Sequence, residues 1–196
     1  LQAPIAKERV SPVSAVPFDL VGRKIVLDAS VNGVQRQFIF DTGSPTILSS
    51  EFARSLGLEV VAQNTGRDAN GTEVTMDIAV VSSLQLGGVV FRDVPVLIHD
   101  FSGLSLGPCL IDGGIIGSEI FPGSAWQIDA VSQTLTIAED ASLLGLPDTA
   151  VSVPLFDFGY PHAPIVDYSV GKLSDKALFD TGSAEDVALF TKVMEK

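Results

Sequence analysis

Two aspartates carry the chemistry open to this sequence. Asp41 stands in Phe40-Asp41-Thr42-Gly43-Ser44, and the same five residues return as Phe179-Asp180-Thr181-Gly182-Ser183. One Asp-Thr-Gly is a common polar turn. Two in a chain of 196 residues, 139 positions apart, mark a duplicated unit. The same offset places Asp28 on Asp167, Ser30 on Ser169 and Val31 on Val170. In all, eight of the twenty-one positions from Lys24 to Ser44 match. Duplicated units usually meet about a pseudo-two-fold axis, which would bring Asp41 and Asp180 together.

Two carboxylates held within a few ångströms cannot both ionise, so they share one proton and titrate as a unit. The ionised member can take a proton from a water between them while the protonated member donates to the carbonyl oxygen under attack. That is amide hydrolysis with neither metal, cofactor nor covalent intermediate. His99 and His162, the only histidines, are far apart in sequence and offer little to a metal site or a Ser-His nucleophile.

The two Phe-Asp-Thr-Gly-Ser segments, with Ile115-Ile116-Gly117 downstream of the first, resemble the aspartic peptidases of the pepsin and retropepsin type. The resemblance implies a mostly β fold: a pepsin/retropepsin-like β-barrel lobe followed by the first part of a second, pseudo-two-fold related lobe. It implies Asp41 and Asp180 as the catalytic pair. Thr42, Gly43, Ser44, Thr181, Gly182 and Ser183 would form the active-site loops, and Ile115, Ile116 and Gly117 the strand that cradles the first of them. In that family the loop threonine bonds across to the partner loop. It also places a substrate-covering flap near Gln63 to Gly71, with Gly66, Asn70 and Gly71 as mobile residues.

The residue types suit those roles. Glycine at position 43 allows a sharp bend and a close approach of its amide to a carboxylate. A Ser44 hydroxyl donating to that carboxylate would favour its charged form and an acidic working range.

The elements that must position the loops are strands and turns. Eighteen glycines and eleven prolines, with frequent Val and Ile, favour short strands, and 46% hydrophobic residues suffice for a core. Residues 1–15 read as an arm available as an edge strand. The first lobe spans 16–142, a linker 143–152, and the start of a truncated second lobe 153–196. Leu20 to Ser30 alternates as one strand, and Asn32-Gly33 turns it into Val34 to Phe40, so that Asp41 falls just past a strand end. Ser49-Ser50 and Gly57 bound a short helix. Strands follow from Met76 to Leu86 and Val89 to Ile98 about Gly87-Gly88, then a hairpin of Gln127–Asp129 with Thr134–Ile137. In the second copy a hairpin runs from Asp167 to Phe179, and Ser183 with Asp186 suits the cap of a helix over Ala184 to Lys196.

A net charge of −12 disfavours nucleic acid and anionic membranes as partners, and no apolar run is long enough to span a bilayer. Cys109 is alone, which precludes an intrachain disulfide and suits a buried small side chain. The sequon Asn70-Gly71-Thr72 is too common to weigh. A start at Leu1 fits either a removed leader or a segment cut from a longer chain; the first case is compatible with a secreted or periplasmic location, with the cytoplasm left open.

From Asp41 the first lobe runs 96 residues to Ile137, whereas 16 follow Asp180. A second flap hairpin and a second cradle strand are therefore expected from the missing part of the second lobe or from a second copy of the chain. The partners expected are a polypeptide substrate and one of those two complements. The function expected is that of an aspartic endopeptidase. The alternative is a non-catalytic peptide-binding or scaffold module of the same fold.

Overall fold

The computed structural model describes residues 5–67, 71–103, 111–156 and 163–183. Asn70, Cys109, His162 and the helix expected over 184–196 lie outside them.

In chain order the strands are β1 (Lys7–Arg9), β2 (Val13–Val21), β3 (Lys24–Val31), β4 (Val34–Phe40) and β5 (Ile47–Ser49), then a helix α1 (Ser50–Ser55). They continue as β6 (Ala62–Arg67), β7 (Glu73–Leu86), β8 (Val89–His99), β9 (Gly114–Ile116), β10 (Ala125–Asp129) and β11 (Thr134–Ala138). Last come β12 (Ile165–Val170) and β13 (Leu173–Leu178). The mostly β reading is borne out.

The first eleven strands form one sheet in the order β10-β11-β2-β3-β4-β9-β5-β8-β7-β6, with β1 added on β8. A further pairing of β3 with β7 closes the stretch from β3 to β7 into a ring. Closure removes free edges and encloses a side-chain core. That core holds Val31, Phe38, Phe40, Leu48, Val81, Leu84, Leu86, Phe91 and Ile116, each with no exposed surface. Antiparallel neighbours dominate, but β4 pairs in parallel with β9, as does β5 with β8. Strand β9 thus lies between β4 and β5, and the loop joining those two passes over its end.

Several sequence expectations shift. Leu20 to Ser30 is not one strand: Gly22 and Arg23 both adopt positive φ, 55° and 67°, and make a tight hairpin between β2 and β3. Two positive φ values are what such hairpins require, and arginine is not a residue that announces one. In the arm, β1 does add at an edge, on β8. Strand β2, however, begins at Val13, inside the segment expected to be arm, and lies between β11 and β3. The turn after Gln63 is shorter than expected, because β6 and β7 pair from Ala62↔Ile78 to Arg67↔Glu73. Gly66 therefore sits in a strand opposite Val74.

The helix has the expected cap: the Ser49 hydroxyl accepts from the Phe52 amide at 3.2 Å. The β12/β13 hairpin repeats β3/β4 in register. Asp28 pairs with Gln37, and Asp167 with Lys176, at the same 139-residue offset. No helix among the described residues is long and apolar enough to cross a membrane.

Candidate active site

Asp41 follows directly on β4, and the end of β4 is fixed from both sides. Phe40 is fully buried and stacks on Phe121 and Trp126, with ring centroids 5.6 and 6.0 Å away. The Asp41 amide donates to the Ile116 carbonyl at 2.9 Å, extending the β4–β9 ladder by one bond. Asp41 is therefore presented from the rim of a packed sheet.

The loop is shaped by its own carboxylate. The Gly43 amide donates to Asp41 Oδ1 at 2.8 Å, and the second loop repeats this with Gly182 N–H on Asp180 Oδ1 at 2.8 Å. Ser44 departs from expectation: its hydroxyl donates to the Pro45 carbonyl at 2.8 Å instead of to the carboxylate. A neighbouring carbonyl is the nearer acceptor once the chain has turned at Gly43, so Ser44 gives no support to an acidic working range.

The cradle is built by close backbone approach. A Cβ on Gly117 would lie 2.2 Å from the Ser44 carbonyl oxygen, and one on Gly114 would lie 2.0 Å from that of Ile47. Gly114 also has a φ of +137°, which disfavours any L side chain. The Gly117 amide donates to Thr46 Oγ1 at 3.0 Å, and the Ser118 amide to the Ser44 carbonyl at 3.0 Å. Glu119 accepts from the Thr46 amide through both oxygens at 3.1 and 3.0 Å, and burial pushes its carboxyl up from the ordinary value. Ile115, Ile116 and Gly117 thus lie under the loop, and Gly114, Thr46 and Glu119 join them. Sequence reasoning missed those three. Gly114 stood beside the quoted motif, but Thr46 and Glu119 had only the proximity of the loop and the cradle to mark them.

The two loops are bound to each other by reciprocal threonine bonds. Thr42 Oγ1 donates to the Phe179 carbonyl at 2.5 Å and accepts from the Thr181 amide at 3.0 Å. Thr181 Oγ1 donates to the Phe40 carbonyl at 3.0 Å and accepts from the Thr42 amide at 3.1 Å. Each hydroxyl satisfies one donor and one acceptor of the opposite loop, and Thr42 is buried at 3% exposure. The pseudo-two-fold relation inferred from the 139-residue offset is thus realised within one chain.

Across that axis each carboxylate lies on the opposite glycine. A Cβ on Gly43 would be 2.6 Å from Asp180 Cγ, and one on Gly182 would be 2.1 Å from Asp41 Oδ2. Only bare Cα atoms let the two carboxylates come this close. Burial, and next the charge of Asp180, push the Asp41 carboxyl up from 3.8 to about 6, against the opposing effects of the Gly43 amide and of Lys24. The halves are not equal, however. Asp41 is partly buried against its cradle, whereas Asp180 is exposed.

Of the residues expected in a flap, Gly66 and Gly71 are described and Asn70 lies outside the described residues. Gly66 is exposed in β6, and the Gly71 carbonyl accepts from Arg67 Nη1 at 2.7 Å across the hairpin tip. Among the described residues no three His, Cys, Asp or Glu side chains converge as a metal site.

Residues 27–120, which include the first loop and its cradle, match the family model described as aspartyl protease. Fold and site together resemble an aspartic-peptidase lobe of the retropepsin type, as the two Asp-Thr-Gly-Ser segments implied. Among solved structures the chain is similar to a retropepsin-like aspartic protease from Rickettsia conorii. The identity is 16%, over 70% of this chain and 95% of that one, at a TM-score of 0.46. No curated protein matches.

Proposed function

We propose that the protein is an aspartic endopeptidase that hydrolyses peptide bonds through a water activated by Asp41 and Asp180. The observation that carries this reading is the reciprocal threonine lock, which sets each carboxylate on the glycine of the other loop. Such an arrangement serves no purpose in a module that only binds, because it holds two like charges together at a cost in stability.

In the singly protonated pair, the ionised carboxylate takes a proton from the bridging water as its oxygen attacks the carbonyl carbon. The protonated one gives its proton to the carbonyl oxygen. The resulting diol collapses as a proton passes to the leaving nitrogen. Loss of the second proton removes the acid, so with Asp41 at about 6 the rate falls above that pH. An extended polypeptide laid across the pair is the substrate class. A complement to the second lobe, from further chain or from a second copy, would supply the cradle that Asp180 lacks among the described residues.

The test is hydrolysis of casein or a peptide library by wild type, Asp41→Asn and Asp180→Asn, with and without pepstatin, from about pH 3 to 8. Cleavage abolished in both variants and by pepstatin supports the reading. Cleavage that persists in either variant overturns it. Binding of peptides without turnover would favour the alternative, a peptide-binding module.

A further inference from the structure

The threonine bonds and the glycine contacts obey the pseudo-two-fold relation, but one contact between the loops does not. Lys24, the first residue of β3, extends its ammonium to the Gly182 carbonyl of the second loop. The repeat places Ala163 at the position equivalent to Lys24, and a methyl group can make no such bond. The first lobe grips the second loop through a cation, and no cation returns the grip from that position.

The contact is made next to the reacting centre. Ile25 pairs with Phe40, the residue before Asp41, so Lys24 rises from the strand beside the first loop. Gly182, whose carbonyl it holds, is also the residue whose Cα lies against the Asp41 carboxylate and whose amide binds Asp180. The charged groups acting on Asp41 are Asp180 from the opposite loop and Lys24 from β3.

Building on the peptidase reading, we infer that Lys24 is a positioning residue that fastens the second Asp-Thr-Gly loop to the first lobe and favours a negative charge on Asp41. The second loop has no cradle strand among the described residues, so a bond to its backbone from the first lobe does part of the work that Ile116 and Gly117 do for the first. A bond from an ammonium is stronger than one from a neutral donor. Its charge also favours a negative charge on Asp41, which opposes the repulsion from Asp180. Burial already makes the pair unequal by favouring the proton on Asp41, and the lysine adds a bias of opposite sign, toward charge on Asp41.

Three substitutions separate the two roles. Lys24→Arg keeps charge and donor, Lys24→Gln keeps a neutral donor, and Lys24→Met keeps neither. Two readouts apply whether or not the protein cleaves anything: carbon-detected NMR titration of the Asp41 carboxyl, and hydrogen exchange of the Gly182 and Ser183 amides. The Asp41 titration should move to higher pH in both the Gln and the Met variants and stay in place in the Arg variant. Amide protection should fall most in the Met variant. In an active enzyme, the alkaline limb of the rate profile should move up with the titration, and kcat/KM of the Met variant should drop about tenfold.

An unmoved Asp41 titration in both Gln and Met variants overturns the electrostatic role. Unchanged amide exchange in the Met variant overturns the fastening role. If the titration and exchange move as stated while wild type cleaves no peptide, the lysine's role stands and the peptidase reading fails.

Discussion

Replacing Asp41 by asparagine should stabilise the protein at neutral pH while abolishing cleavage. Asparagine is close in shape to aspartate. Its Oδ1 can still accept from Gly43, and its amide can donate toward Asp180, so the substitution removes charge and little else. In the folded chain the Asp41 carboxyl is raised from 3.8 to about 6. The folded state therefore holds its proton more tightly than the unfolded one between those values. Its contribution is fully present below about pH 4, is lost as pH rises toward 6, and is absent above. The difference is worth about 3 kcal/mol at full strength, or about 2 kcal/mol once partial exposure is allowed for. For a chain of this size that is a gain of about 4–8 °C in Tm for the variant over wild type at pH 7, shrinking toward zero at pH 4.

Thermal or urea unfolding of both proteins at several pH values measures it. Comparing the two at each pH cancels the exposed carboxylates Glu8, Asp100, Asp129 and Asp140, whose partners hold them below their ordinary values and whose stabilisation is lost toward acid. A variant no more stable than wild type at pH 7, or a gap that does not change with pH, would refute the claim that the carboxylates are forced together.

Two further substitutions test the scaffold. Thr181→Val keeps shape but leaves the Thr42 amide and the Phe40 carbonyl without their partner across the axis; it should cost about 2–4 kcal/mol in urea unfolding and release the second loop, seen as faster amide exchange at 180–183. Gly117→Ala forces a methyl group into the Ser44 carbonyl, so the first loop must shift; a loss of about 2 kcal/mol or more with a marked fall in activity is expected, and an alanine variant of wild-type stability would remove Gly117 from the cradle.

The sequence made the strongly repeated features legible. A five-residue identity at a fixed offset is a long-range signal, and it located the loops, their mutual approach and the hairpin behind each. Asn32-Gly33, Gly87-Gly88 and the Ser49 cap were legible because each rests on local conformational demand. Gly22-Arg23 was not, because arginine at positive φ is held there by the pairing of β2 with β3 and not by its own preference. Ser44 was misjudged for the same kind of reason. Its hydroxyl had two acceptors within reach, and the choice depended on a backbone path that composition does not encode.

What lay furthest from view was asymmetry. The repeat invites the inference that both halves are held alike. Yet the positions where the copies differ decide how each aspartate is supported. Lys24 against Ala163 is one such position, and the lysine side chain crosses to a residue 158 positions away. The supports of the first loop are another, since Thr46, Gly114 and Glu119 all act through backbone contacts to segments distant in sequence. Asp41 is set firmly by a strand, a cradle and a stacked aromatic pair, whereas Asp180 hangs on Thr181, Gly182 and the lysine. A dyad so held should lose the alignment of Asp180 before that of Asp41 whenever the interface loosens. Any complement to the second lobe would therefore act first on Asp180, by giving its loop the wall that β9 already gives its counterpart.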